Sequence, residues 1–168
     1  MLIDSDALTG GSQSKSERYE ILLRQTAEVL RGEPDPIAWM ATLSAMLRGS
    51  FDWLWVGFYR RLGSDLVVGP YQGFPACLRI HLGQGVCGTS AETGRTIVVP
   101  NVQEFPGHIT CDPRSRSEIV VPVWDERDEV RAVLDVDSDK PGAFDEVDRA
   151  ALETLVQKMR SLAWIDEN

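Results

Sequence analysis

The chain has 168 residues, a formal net charge of −9 and an isoelectric point near 4.7. That length fits one domain with a full hydrophobic core, and so acidic a surface repels phosphate backbones and anionic lipid, so neither nucleic acid nor a membrane is expected as a partner. No apolar run approaches the roughly 20 residues needed to span a bilayer, and the opening Met-Leu-Ile-Asp-Ser-Asp lacks the basic and apolar regions of a secretory signal, which points to a cytoplasmic protein.

Residues 1–14 are small, polar and aperiodic and are expected to be a disordered tail, as are the polar residues 166–168. Residues 15–31 read as an amphipathic helix, with Tyr19, Leu22, Leu23, Thr26, Ala27 and Leu30 at spacings of three and four. Gly32 and Pro34 are its stop signals. Asp35-Pro36 reads as an N-cap followed by proline at the first helical position. The second helix carries Met40, Leu43, Ser44 and Leu47 on one face and is expected to end at Gly49.

Strand-like segments follow. Residues 54–60 and 65–69, joined by Leu62-Gly63-Ser64, predict a hairpin. Residues 78–82 are a further strand candidate, 89–93 a short helix, and 96–99 a β-branched run stopped by Pro100. Residues 102–117 have no periodicity and predict a long loop, which in a compact domain is usually functional or disordered. Residues 118–124 and 129–137 are two more strands around the charged turn 125–128. Pro122, inside the first of them, calls for an edge position or a bulge. The last helix starts near Asp145 with Asp148 as a near capping box. Its core face is expected to hold Val147, Ala151, Leu155, Met159 and Leu162. Short hairpin links predict an α+β fold with a mainly antiparallel sheet and helices packed on one face.

Strand alternation puts Val133, Asp135 and Asp137 on one face and Ala132, Leu134 and Val136 on the other. Two carboxylates side by side repel unless a cation sits between them. They mark either a solvated face or a receptor for an ammonium group. In the first strand, Trp55, Gly57 and Tyr59 share a face. They are either ordinary packing or an apolar wall at which glycine lets a ligand approach the backbone.

The chain holds three cysteines, Cys77, Cys87 and Cys111. An odd number without a signal segment argues against a structural disulfide framework. Buried free cysteine is the plain alternative to chemistry. Cys111 lies in the long loop beside charged residues. An unperturbed thiol is only ~3% ionised near neutrality, so a reactive Cys111 needs a nearby cation or backbone N–H groups. His108 is a candidate helper or, equally, a loop-bracing histidine. Long cysteine intervals and the lack of a Cys-x-x-Cys pair argue against a metal site.

Seven blocks carry a family resemblance: Trp55-Val-Gly-Phe-Tyr59, Gly69-Pro-Tyr-Gln-Gly73, Ala76-Cys-Leu-Arg-Ile80, Gly85-Val-Cys-Gly-Thr89, Pro106-Gly-His-Ile-Thr-Cys-Asp112, Ser117-Glu-Ile-Val120 and Leu134-Asp-Val-Asp-Ser138. They resemble, in order, the signature blocks of the free methionine-(R)-sulfoxide reductases, which are GAF-domain enzymes. The likeness spans about residues 15–163. Gln84 stands where arginine is common, Thr110 where alanine is common, and the 125–127 turn is slightly long.

The resemblance implies a GAF-like fold of about six strands, with N- and C-terminal helices on one face and an active-site loop region on the other. Residues 15–165 would form a single catalytic domain. Cys111 would attack sulfur and Cys77 would resolve the product, with Cys87 in a less defined recycling role. Glu118, Asp135 and Asp137 would be the acidic triad, with Glu118 as proton donor, and Trp55 and Tyr59 the aromatic wall. No cofactor is implied. Thioredoxin is the implied reductant, and a homodimer is an analogy to related enzymes. The competing readings are a ligand-binding GAF module that signals and a thiol switch that uses the disulfide as its signal.

Overall fold

The computed structural model describes residues 13–164. The tail expectations for residues 1–12 and 166–168 fall outside that range. Ser14, expected in the tail, is instead the N-cap of α1 (Lys15–Val29), in a reciprocal capping box with Glu17. Helix α2 (Pro36–Ser50) starts at the foreseen Asp35 cap, whose carboxylate accepts from the backbone N–H of Ile37 and Ala38. It runs through Gly49 to Ser50 rather than stopping there. Gly49 sits on the solvent side, where a helical glycine costs only about 1 kcal/mol.

The sheet has six strands: β1 (Trp55–Leu62), β2 (Asp65–Gln72), β3 (Arg79–His81), β4 (Ile97–Val99), β5 (Ser117–Trp124) and β6 (Val130–Ser138). Their order is β3-β2-β1-β6-β5-β4, and every pairing is antiparallel. Pro122 is accommodated because β4 pairs only with Glu118, Ile119 and Val120. Among the described residues no strand lies on the outer side of β5 beyond Val120 to receive an N–H, and a register shift follows at Val123/Trp124.

Two cores flank the sheet. On one face, α1, α2 and α4 (Glu146–Gln157) pack Leu22, Met40, Leu43, Leu47, Leu152 and Leu155 against Val56, Phe58, Ile119, Leu134 and Val136. On the other, α3 (Gly85–Thr93) and the 102–116 loop pack Val86, Cys87 and Val102 against Trp55, Tyr59, Val120 and Val133. Helix α3 is longer than the expected 89–93 segment.

Two helical faces differ from their sequence reading. Ala27 is exposed on α1. On α4, Val147 is 40% exposed, and the core side is Asp148, Leu152, Leu155 and Val156, with Met159 buried just past the helix end. Residues four apart drift by roughly 40° per step, so the row 147, 151, 155 rotates off any one face. Asp148 takes the buried place because it is paired. Its side chain accepts from Tyr19 Oη (2.9 Å), Lys15 Nζ (2.5 Å) and the backbone N–H of Asp145 (2.8 Å).

Candidate active site

Strand register assembles the acidic cluster. Glu118 on β5 lies opposite Asp137 on β6, which lies opposite Trp55 on β1. One step along, Val120, Asp135 and Gly57 form the next row. Partners directly opposite share a face, so three carboxyls from two strands crowd one patch under α3 and the long loop. The solvated-face alternative does not hold, since Glu118 and Asp135 are each 6% exposed.

Burial, reinforced by the neighbouring carboxyls, pushes Glu118 and Asp135 well above the usual carboxylate range. Burial raises Asp137 to about 6 even though Ser115 Oγ donates to its Oδ1 at 2.7 Å. Burial and the same acids raise the Cys87 thiol, whose Sγ stands 3.8 Å from Glu118 Oε1. Tyr59, fully buried, is raised by burial and then by Asp135. Glu118, Asp135, Cys87 and Tyr59 therefore hold their protons near neutral pH, whereas Asp137 is mostly ionised.

The long loop closes over this patch. Its ends are pinned by Val102 N–H to Arg116 O (2.9 Å) and Arg116 N–H to Ser138 O (2.8 Å). Its tip is pinned by a disulfide between Cys111 and Cys77, with Cα atoms 5.3 Å apart. Cys87 is a buried free thiol in the first turn of α3.

Tyr59, Cys87, Cys111, Glu118, Asp135 and Asp137 line one cavity. The enclosed space is about 30 Å³, room for a water or two. Trp55 stands behind the lining. Its ring stacks on Tyr71 and Tyr59, its Nε1 donates to Phe74 O, and its edge covers Gly57. Gly57 is thus the seat of the Trp55 indole, not an opening for a ligand. A larger cleft of about 260 Å³ lies between the start of α2 and the β1 and β6 strands. No cysteine borders it, and its one carboxylate, Asp35, is the α2 cap.

His108 also lines the cavity, with Nδ1 3.9 Å from Glu118 Oε2. Burial lowers its pKa, so near neutrality it is an uncharged imidazole and supplies no cation for Cys111. Sequence reasoning missed Ser115, Ile80, Gln84 and Ile109, all in the lining. Gln84 is the N-cap of α3 and makes no side-chain cap bond, so the start of α3 borders the cavity with its first-turn N–H groups uncapped by a side chain. The only signal for Ser115 was its place in an aperiodic loop.

The GAF domain profile matches residues 18–161, and the chain belongs to the GAF domain family. It is 46% identical to GAF domain-containing protein A of Dictyostelium discoideum, over 86% of this chain and 91% of that protein. It is 38% identical to the free methionine-R-sulfoxide reductase of Escherichia coli, over 89% of this chain and 90% of that one. Among solved structures, the free methionine-R-sulfoxide reductase of Neisseria meningitidis, in complex with its substrate, superposes with a TM-score of 0.85. It shares 40% identity over 89% of this chain and 90% of that one.

Proposed function

We propose that this chain reduces free L-methionine-(R)-sulfoxide to L-methionine. The observation that carries this reading is one cavity bordered by a loop cysteine in a disulfide, three carboxyls, two of them buried and one half-buried, and a tyrosine. The names of the E. coli and N. meningitidis proteins support it.

With the disulfide reduced, the Cys111 thiolate attacks the sulfoxide sulfur. The oxygen leaves that sulfur only as it gains protons, and Glu118, held protonated by its surroundings, supplies one. The oxygen ends on Cys111 as a sulfenic acid while the substrate sulfur becomes a thioether. Cys111 is thereby oxidised and methionine is released. The Cys77 thiol then displaces water from the sulfenic acid, giving the Cys77–Cys111 disulfide. A thioredoxin-type dithiol returns both cysteines to thiols by exchange.

Recognition follows from the charges. The ionised Asp137 holds the α-ammonium, with Asp135 beside it as a hydrogen-bond partner, and the uncapped N–H groups at the start of α3 suit the α-carboxylate. Tyr59, backed by Trp55, gives the apolar wall for the ε-methyl. A peptide-linked residue has no α-ammonium and cannot follow its side chain into so enclosed a site. The test is to incubate the protein with the free R and S epimers, or with a peptide containing the sulfoxide, in the presence of dithiothreitol, and to assay methionine. Turnover of the free R epimer alone is expected. No turnover of it would end the reading in favour of a binding module.

A further inference from the structure

We propose that Cys87, Glu118 and Asp135 form a three-donor binding site for a borderline divalent cation of the zinc type, and that the ion, once bound, blocks the reductase site. The blocking half rests on the function proposed above. The binding half does not.

One donor atom from each of Cys87, Glu118 and Asp135 lies within 4.8 Å of the others, and all three residues are buried. Ligand atoms around a tetrahedral zinc stand about 3.4–3.8 Å apart, given bonds of about 2.0–2.3 Å. The Cys87 Sγ to Glu118 Oε1 separation is 3.8 Å already. A contraction of about 1 Å by side-chain rotation completes the set.

One further feature points to a ligand at this spot. Asp135 is 6% exposed, yet its Oδ1 has no hydrogen-bond partner among the described residues. A buried acceptor left unpaired is costly, and a cation satisfies it. His108 borders the group, with Nδ1 3.9 Å from Glu118 Oε2, without belonging to it.

The donor set selects the ion. A thiolate with two carboxylates, leaving a fourth position open, suits zinc or cobalt(II), whereas magnesium and calcium require oxygen shells. The scaffold is rigid where it matters: Cys87 sits in the first turn of α3, and Glu118 and Asp135 on adjacent central strands. Binding would release the thiol proton of Cys87 and the carboxyl protons of Glu118 and Asp135 to solvent. The redox pair is not needed, because Cys77 and Cys111 are joined to each other. An ion on Glu118 and Asp135 removes the proposed proton donor and one ammonium partner together.

The test uses the full chain with its disulfide intact and titrates it with cobalt(II). One equivalent should bind with a near-ultraviolet thiolate-to-cobalt band. Zinc should displace it, and excess magnesium should not. Cys87→Ser should lose the band, and Asp135→Asn should weaken binding at least about tenfold, the lower end of what lesser outer-shell losses cost. Circular dichroism checks that both variants are folded. Absence of the band, or unchanged binding in both variants, would overturn the site.

Turnover of free methionine-(R)-sulfoxide by chelator-treated enzyme, with a phosphine reductant, tests the proposed function separately. Adding zinc should then raise KM with kcat little changed. Binding without inhibition would overturn the blocking half and leave the site standing.

Discussion

Glu118, buried, and Asp137, half-buried, face each other directly across β5 and β6, with Trp55 opposite Asp137 on the next strand. The pair nevertheless differs in surroundings. Glu118 has Cys87 and Asp135 for neighbours, whereas Asp137 accepts from Ser115. Unequal environments divide roles between like groups. Glu118→Gln should therefore lower kcat by about 10²–10⁴-fold, the usual worth of a positioned acid. Asp137→Asn should chiefly raise KM. Steady-state kinetics on the free R epimer distinguish the two, and identical effects would remove the division of labour.

Cys111→Ser should abolish turnover, since serine offers no comparable nucleophile. Cys77→Ser should still release about one methionine per chain with no added reductant, leaving a sulfenic acid that a dimedone-type trap captures at Cys111. Mass spectrometry of the trapped peptide decides it. A label at Cys87 would move the attacking role there.

Asp137 makes stability depend on pH in a stated direction. Its pKa is about 6 in the folded protein against 3.8 for an ordinary aspartate. Below the lower value both states are protonated, and its contribution to stability is intact. As pH rises through the folded value that contribution is lost, because the unfolded chain ionises first. The loss is up to about 3 kcal/mol. Asparagine cannot ionise and keeps an oxygen for Ser115. The melting temperature of Asp137→Asn minus that of wild type should rise between pH 4 and pH 7. A flat difference would contradict the buried-acid account.

Gly57→Ala should be strongly destabilising for one methyl group. Its Cβ would stand 2.3 Å from Tyr71 Cβ and 2.4 Å from the Trp55 ring. The tyrosine Cβ belongs to a strand and cannot swing away. Overpacking of this kind costs about 1–3 kcal/mol, and relief requires the indole to tilt. Thermal unfolding and tryptophan fluorescence should both shift.

Tyr19→Phe should cost about 1.5–3 kcal/mol, because the Tyr19 hydroxyl donates to Asp148 Oδ1 at 2.9 Å in the core. Chemical denaturation reads it, and kcat for sulfoxide reduction should be unaffected so far from the cavity.

Much of this protein follows from local chemistry in the chain. Asp35-Pro36 and Asp145 with Asp148 start helices because their carboxylates reach backbone N–H groups two and three residues on, a relation within one turn. Alternation in β1 and β6 divides Asp135 and Asp137 from Leu134 and Val136, because the strand period is two whatever the neighbours are. Register, by contrast, is a relation between strands. That Glu118 meets Asp137, and that the acids sit under a cover instead of in water, depends on which strand pairs with which and on where the aperiodic loop folds. The same holds for Asp148, whose burial rests on Lys15 and Tyr19 more than 120 residues away in the chain. Ser115 beside Asp137 is a meeting of a loop with a distant strand, and Cys77 against Cys111 a meeting of two loops. Sequence determines the faces and caps, since these arise from bonds a few residues long. The site itself arises from contacts across the fold, and only the tertiary structure decides those.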